Sequence, residues 1–213
     1  MLTAQENELL TRTDRGTVAG ECFRRFWTPA LMSEEIPEPD CPPVRVRLMG
    51  EDLIAFRDSS GRPRLVGAYC MHRQVDLFFG RNEQNGIRCI YHGWKYDGDG
   101  NCVEIPTEPA TSTYKDRIKL PAYPCQEHAG FVWAYLGPRD KPAQFPKFEY
   151  MGLPKEHLYI KKSLLECNYF QALEGHFDSS HIGFLHRFVS SEGNTPPGFG
   201  HGATSKTEKN KKK

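Results

Sequence analysis

Between residues 42 and 140, apolar and polar side chains alternate in short runs separated by turn-forming residues. Val44-Arg45-Val46-Arg47-Leu48 changes character at every step, the period of a strand with one buried face. Residues 53–57 and 65–69 are nearly continuous apolar runs, set off by Gly50-Glu51-Asp52 and Ser59-Ser60-Gly61-Arg62, and predict two more strands. Residues 87–90, 94–96 and 102–105 follow, the last two joined by a tight hairpin at Asp97-Gly98-Asp99-Gly100. Residues 131–136 form the last strong strand, ended by Gly137-Pro138. Short strands at this spacing predict an antiparallel β domain over residues 42–140.

The flanks read differently. Residues 5–13 predict a short helix, and the aromatic, basic run 22–30 reads as an arm packed on the domain that follows. With the proline-rich connector 35–43, this makes residues 1–41 an N-terminal arm. Residues 141–157 are rich in Pro, Lys and aromatics and predict a linker. Residues 158–166 read as a strand, and Asn168 opens a helical stretch with Phe170, Leu173 and Phe177 at helical spacing. From Ser190 the pattern dissolves. Residues 205–213 hold five lysines and almost nothing apolar, so 191–213 are expected to be a disordered tail.

Composition narrows the function. The chain has 213 residues, 26% of them charged, with a net charge of +1. Nothing points to a nucleic-acid surface, and no apolar run approaches a membrane span. The polar, acidic N-terminus is unlike a signal peptide. Seven scattered cysteines, an odd number, fit a reducing, cytoplasmic setting. Cys22, Cys41, Cys102, Cys125 and Cys167 read as small hydrophobes or plain thiols.

Two constellations carry chemistry. Cys70-Met71-His72-Arg73 and Cys89-Ile90-Tyr91-His92-Gly93-Trp94 each pair one thiol with one imidazole, as C-x-H and C-x-x-H, with sixteen residues between His72 and Cys89. Such a His₂Cys₂ set fits a tetrahedral zinc ion or a Rieske [2Fe–2S] cluster. Zinc sites usually keep the cysteines in one knuckle and the histidines in another, whereas mixed loops can place two thiolates on one iron and two imidazoles on the other. The second constellation is Asp178-x₂-His181-x₄-His186, with Asn168, Glu174 and His176 upstream. Asp178 and His181 share a helix face. His181 and His186 lie about 140° apart on an ideal helix, so both reach one metal only if the helix ends or bends, and Gly183 is a plausible break point.

Together these stretches resemble the Rieske non-haem iron oxygenases, specifically the oxygenase (alpha) component of phthalate 4,5-dioxygenase-like enzymes, over about residues 1–190. Pro42-Pro43-Val44-Arg45-Val46-Arg47-Leu48, Phe78-Phe79-Gly80-Arg81-Asn82-Glu83 and Tyr91-His92-Gly93-Trp94-Lys95 support the likeness. Met71, Gln74 and Val75 depart from the family's usual loop residues and put the backbone amides around the cluster in question. The resemblance implies an α+β chain. An antiparallel β Rieske domain would be followed, over 158–190, by the first strand and helix of an incomplete helix-grip catalytic domain. It implies a cluster held by Cys70, His72, Cys89 and His92, and mononuclear Fe(II) held by His181 and His186. The third iron ligand, an Asp far downstream in the family, has no candidate here. Asp178 matches the family's bridging residue, linking a cluster His to an iron His of a neighbouring subunit in a homotrimer, with His92 and His181 as the pair. His176 has no family role, and His128, His157 and His201 read as surface residues. An NAD(P)H-dependent flavin/iron–sulfur reductase would supply electrons for O₂-dependent hydroxylation of an aromatic or related compound. The chain reads as C-terminally truncated and lacking full activity. The alternative is a stand-alone Rieske ferredoxin-like electron carrier.

Overall fold

The computed structural model describes residues 2–185. The chain divides into two compact units, Met1–Lys162 and Ser163–Lys213.

The first unit opens with two short helices, α1 (Ala4–Thr11) and α2 (Val18–Phe23). Eleven strands follow: β1 (Trp27–Met32), β2 (Val44–Leu48), β3 (Glu51–Arg57), β4 (Pro63–Gly67), β5 (Arg81–Glu83), β6 (Gly86–Arg88), β7 (Lys95–Asp97), β8 (Cys102–Glu104), β9 (Ala122–Tyr123), β10 (Cys125–His128) and β11 (Phe131–Tyr135). They form three antiparallel sheets, ordered β1-β11-β10, β2-β3-β4-β9 and β5-β6-β7-β8.

The β2-β3-β4-β9 sheet is the middle layer, because its residues divide between two cores. Leu53, Ala55 and Leu65 pack with Val132 and Ala134 of β11. Ile54, Phe56 and Val66 pack with Ile87 and Tyr96 of the β5-β6-β7-β8 sheet and with Trp94 just before β7. A strand buried on both faces has no polar side to show, which is why 53–57 reads as a continuous apolar run.

Three hairpins turn on two residues with positive φ: Met49-Gly50, Gln84-Asn85 and Ala129-Gly130. Two left-handed residues make the turn whose twist matches that of the flanking strands. The β2–β3 turn therefore lies at Met49-Gly50, and Glu51 and Asp52 belong to β3, not to the expected turn.

Two expectations need correction. The run 22–30 is not merely a packed arm, since β1 pairs with β11 and forms an edge of the domain's own sheet. Pro29 sits in that strand beside a register shift, where an edge tolerates a missing N–H donor. Residues 158–166 form no strand. No described neighbour offers them a ladder, and Leu164 and Leu165 are exposed.

The described part of the second unit contains α3 (Tyr169–Phe177) and a single 3₁₀ turn, His181–Gly183. Asn168 caps α3 as expected, its side chain accepting from the Phe170 N–H at 2.9 Å. His186 and the tail expected to be disordered lie outside the described residues.

Candidate metal centre

Cys70 lies just beyond β4, and Cys89 directly follows β6. Each begins a loop with the same backbone wiring. In the first, the Cys70 N–H donates to the Val75 carbonyl (2.9 Å) and the Gln74 N–H to the Cys70 carbonyl (2.9 Å). In the second, the Cys89 N–H donates to the Trp94 carbonyl (2.8 Å) and the Gly93 N–H to the Cys89 carbonyl (3.1 Å). The fifth residue of each loop is left-handed, Gln74 at φ 56° and Gly93 at φ 71°. Gln74, unlike glycine, carries a Cβ into this region. Its side-chain amide donates to the Cys70 carbonyl at 3.3 Å, tying the unusual residue to its own loop.

The loops bring all four candidate ligands to one small pocket, lined also by Arg73, Val75, Tyr91 and Trp94. Cys70 and Cys89 are 1% and 3% exposed and belong to the core. The imidazoles sit above them, His72 exposed and His92 half-buried, with ring centroids 4.6 Å apart. His72 stacks on Trp94 at 4.7 Å with 4° between planes. Tyr91 packs against His92 at 3.9 Å.

Burial governs the protonation of two of the candidate ligands. Burial pushes the Cys89 thiol up and the neighbouring Cys70 adds to it, against the backbone N–H groups of Tyr91 and His92. A coordinated metal reverses this balance by stabilising the thiolate outright. His72 is held below its ordinary value by desolvation, then by His92 and Arg73, favouring the neutral imidazole a metal requires. Tyr96, fully buried, places its hydroxyl 3.3 Å from Cys70 Sγ and accepts from the Met71 N–H at 3.1 Å. The amide at the unusual Met71 is thus taken by Tyr96. Cys102, buried in the same core, is pushed up to about 11 chiefly by burial and reads as structural.

A pair of buried thiols and a pair of imidazoles nearer the surface, one of each from either loop, is compatible with a two-iron cluster, which asks for two protein donors per iron.

The second constellation is partly assembled. α3 ends at Phe177, earlier than the expected break at Gly183, and Asp178 stands at its C-cap. Asp178 Oδ2 lies 3.2 Å from His181 Nδ1. The Ser180 N–H, and then His181, hold the Asp178 carboxyl below its ordinary value. His176 Nδ1 donates to the Ala172 carbonyl within α3 at 2.7 Å.

Sequence reasoning missed the Arg88 network. Arg88 is nearly buried and bonds Glu83, Glu104 and the Gly93 carbonyl. An arginine at a strand end beside the candidate ligand Cys89 was the available signal.

Residues 26–124 match the Rieske [2Fe–2S] domain family, and residues 134–206 match the LigXa C-terminal domain-like family. The chain is 48% identical over 188 residues to the phthalate 4,5-dioxygenase oxygenase subunit of Pseudomonas putida, covering 87% of this chain and 42% of that one. It is 41% identical over 186 residues to the 3-chlorobenzoate-3,4-dioxygenase oxygenase subunit of Comamonas testosteroni, covering 87% and 43%. The chain therefore spans less than half the length of these relatives. Among solved structures, the oxygenase in a ferredoxin complex of carbazole 1,9a-dioxygenase is similar at 28% identity and a TM-score of 0.59, covering 84% of this chain and 44% of that one. A Rieske domain implies a [2Fe–2S] cluster. No helix among the described residues is long and apolar enough to cross a membrane. Loop geometry, domain match and relatives agree: this chain is Rieske oxygenase alpha-subunit-like, built on a Rieske [2Fe–2S] domain.

Proposed function

We propose that Cys70, His72, Cys89 and His92 hold the [2Fe–2S] cluster, and that the chain is the electron-accepting part of a Rieske-type oxygenase component acting on an aromatic or related organic compound. One observation carries this reading: two core thiols and two rim imidazoles, from loops with matching backbone bonds, line a single pocket. When bound, the cluster supplies one-electron acceptance and donation. The chain's own part is to keep the thiols dry, to hold the imidazoles at the surface where electrons enter, and to aim loop amides and the Tyr96 hydroxyl at the sulfurs. His181 and His186 are the proposed ligands of a mononuclear Fe(II), with Asp178 orienting His181. The physiological donor is proposed to be an NAD(P)H-dependent flavin/iron–sulfur reductase in the cytoplasm, and the assembly a homotrimer in longer family members.

The second reading is a Rieske ferredoxin-like carrier. Residues 158–190 weigh against it, since a carrier needs no second iron motif, and residues 134–206 match the LigXa C-terminal domain-like family. Anaerobic reconstitution followed by iron and sulfide analysis separates the readings. About two irons per chain with the EPR signal of a reduced Rieske centre means the cluster alone, and about three means the mononuclear site as well. A colourless protein with stoichiometric zinc overturns both. We expect cluster uptake, read from the iron and sulfide content of the reconstituted chain.

A further inference from the structure

The second ligand loop is gripped by a charge that the first lacks. Arg88 directly precedes Cys89, and its side chain is 11% exposed. Its Nε donates to Glu83 at 2.6 Å, Nη2 to Glu104 at 2.7 Å and Nη1 to the Gly93 carbonyl at 2.9 Å. Glu83 ends β5 and Glu104 ends β8, so the guanidinium is anchored to strands on two sides and reaches the loop with its third arm. The matching place before Cys70 holds Tyr69, an exposed side chain with no such reach.

The bonded carbonyl belongs to the peptide between Gly93 and Trp94. On one side lies His92. On the other lies Trp94, whose ring stacks on His72 at 4.7 Å. The left-handed Gly93 has no side chain of its own to fix that peptide. We propose that Arg88, held by Glu83 and Glu104, is a positioning residue that sets the orientation of both imidazoles, His92 through the backbone and His72 through Trp94. The proposal rests on the cluster reading above. It adds that a planar fork reaching three well-separated acceptors is required; the three N–H donors of an ammonium share one nitrogen and do not span them.

Arg88→Lys keeps the charge and removes the fork, so it is the decisive variant, with Arg88→Met beside it. Each chain is reconstituted anaerobically, and circular dichroism of the metal-free form checks the fold. The readouts are the g-values of the reduced cluster and the rate of cluster loss to a strong iron chelator. We expect Arg88→Lys to fold, to show shifted or broadened g-values, and to lose its cluster at least fivefold faster than wild type. Wild-type g-values and wild-type chelation kinetics in Arg88→Lys overturn the proposal, whether or not Arg88→Met folds. If the wild-type chain itself takes up no cluster, the cluster reading fails and the proposal with it. If wild type takes it up and Arg88→Lys is indistinguishable, only the role of Arg88 fails.

Discussion

Replacing Tyr96 with Phe removes one oxygen from a buried site and leaves the ring in place. That oxygen lies 3.3 Å from Cys70 Sγ and accepts from the Met71 N–H at 3.1 Å. Burial, and then the bond to Cys70, raise the phenol far above its ordinary value, so it stays protonated and is a donor. A donor to a ligand sulfur favours the reduced cluster, which carries one more negative charge. If the net bond is about 0.5–1.5 kcal/mol, a one-electron couple at roughly 59 mV per tenfold change shifts by about 20–65 mV. Tyr96→Phe should therefore lower the midpoint potential of the reconstituted chain by that amount. Its cost in fold stability should be about 1–3 kcal/mol, because the Met71 N–H loses its acceptor beside a fully buried ring. A mediator-equilibrated redox titration followed by EPR measures the shift. An unchanged or higher midpoint would show that the hydroxyl does not donate to the sulfur, and the assignment of Cys70 as a ligand would lose its chief electrostatic support.

Three further outcomes are expected. Cys89→Ser should fold in the metal-free state yet fail to retain a normal cluster, as visible absorbance and sulfide analysis will show. Gly93→Ala puts a Cβ on a residue at φ 71°, 2.9 Å from Pro106 Cγ, and should cost about 1–2 kcal/mol; calorimetry should record a Tm lower by roughly 2–8 °C. Glu127 is held below the ordinary glutamate value of 4.5, first by its hydrogen bonds from Arg57. A depressed carboxylate contributes stability fully above its unfolded-state pKa and loses it as pH falls through the folded one. Wild type should therefore lose stability below about pH 4.5 more steeply than Glu127→Gln in a series of melts. Parallel curves would exclude the Arg57–Glu127 pair as a contributor.

Legibility in the sequence followed the strength of each physical signal. The strands from Val44 to Leu48 and from Phe131 to Tyr135 were evident because burial imposes their pattern directly. β1 was obscured by Pro29, which argues against a strand unless the edge is known. The β2–β3 turn was placed slightly late, and the β10–β11 hairpin was missed, because Met49 and Ala129 occupy left-handed positions where Asn or Gly is the usual sign. The four candidate cluster ligands could be named from residue type and spacing alone. Their supports could not: Tyr96, Arg88 and Trp94 act through contacts that cross strands, and linear spacing does not record those. The segment 158–166 shows the opposite failure. Its β propensity is real, but a strand exists only when a neighbour accepts its hydrogen bonds, and a one-dimensional reading supplies no neighbour.

The burial gradient across the pocket sets a rule for traffic. The thiols are sealed beneath two sheets, while the imidazoles stand at the rim. If the proposed cluster sits in this pocket, the shortest way in passes the rim imidazoles, so covering that rim should slow reduction of the cluster without touching the buried thiols.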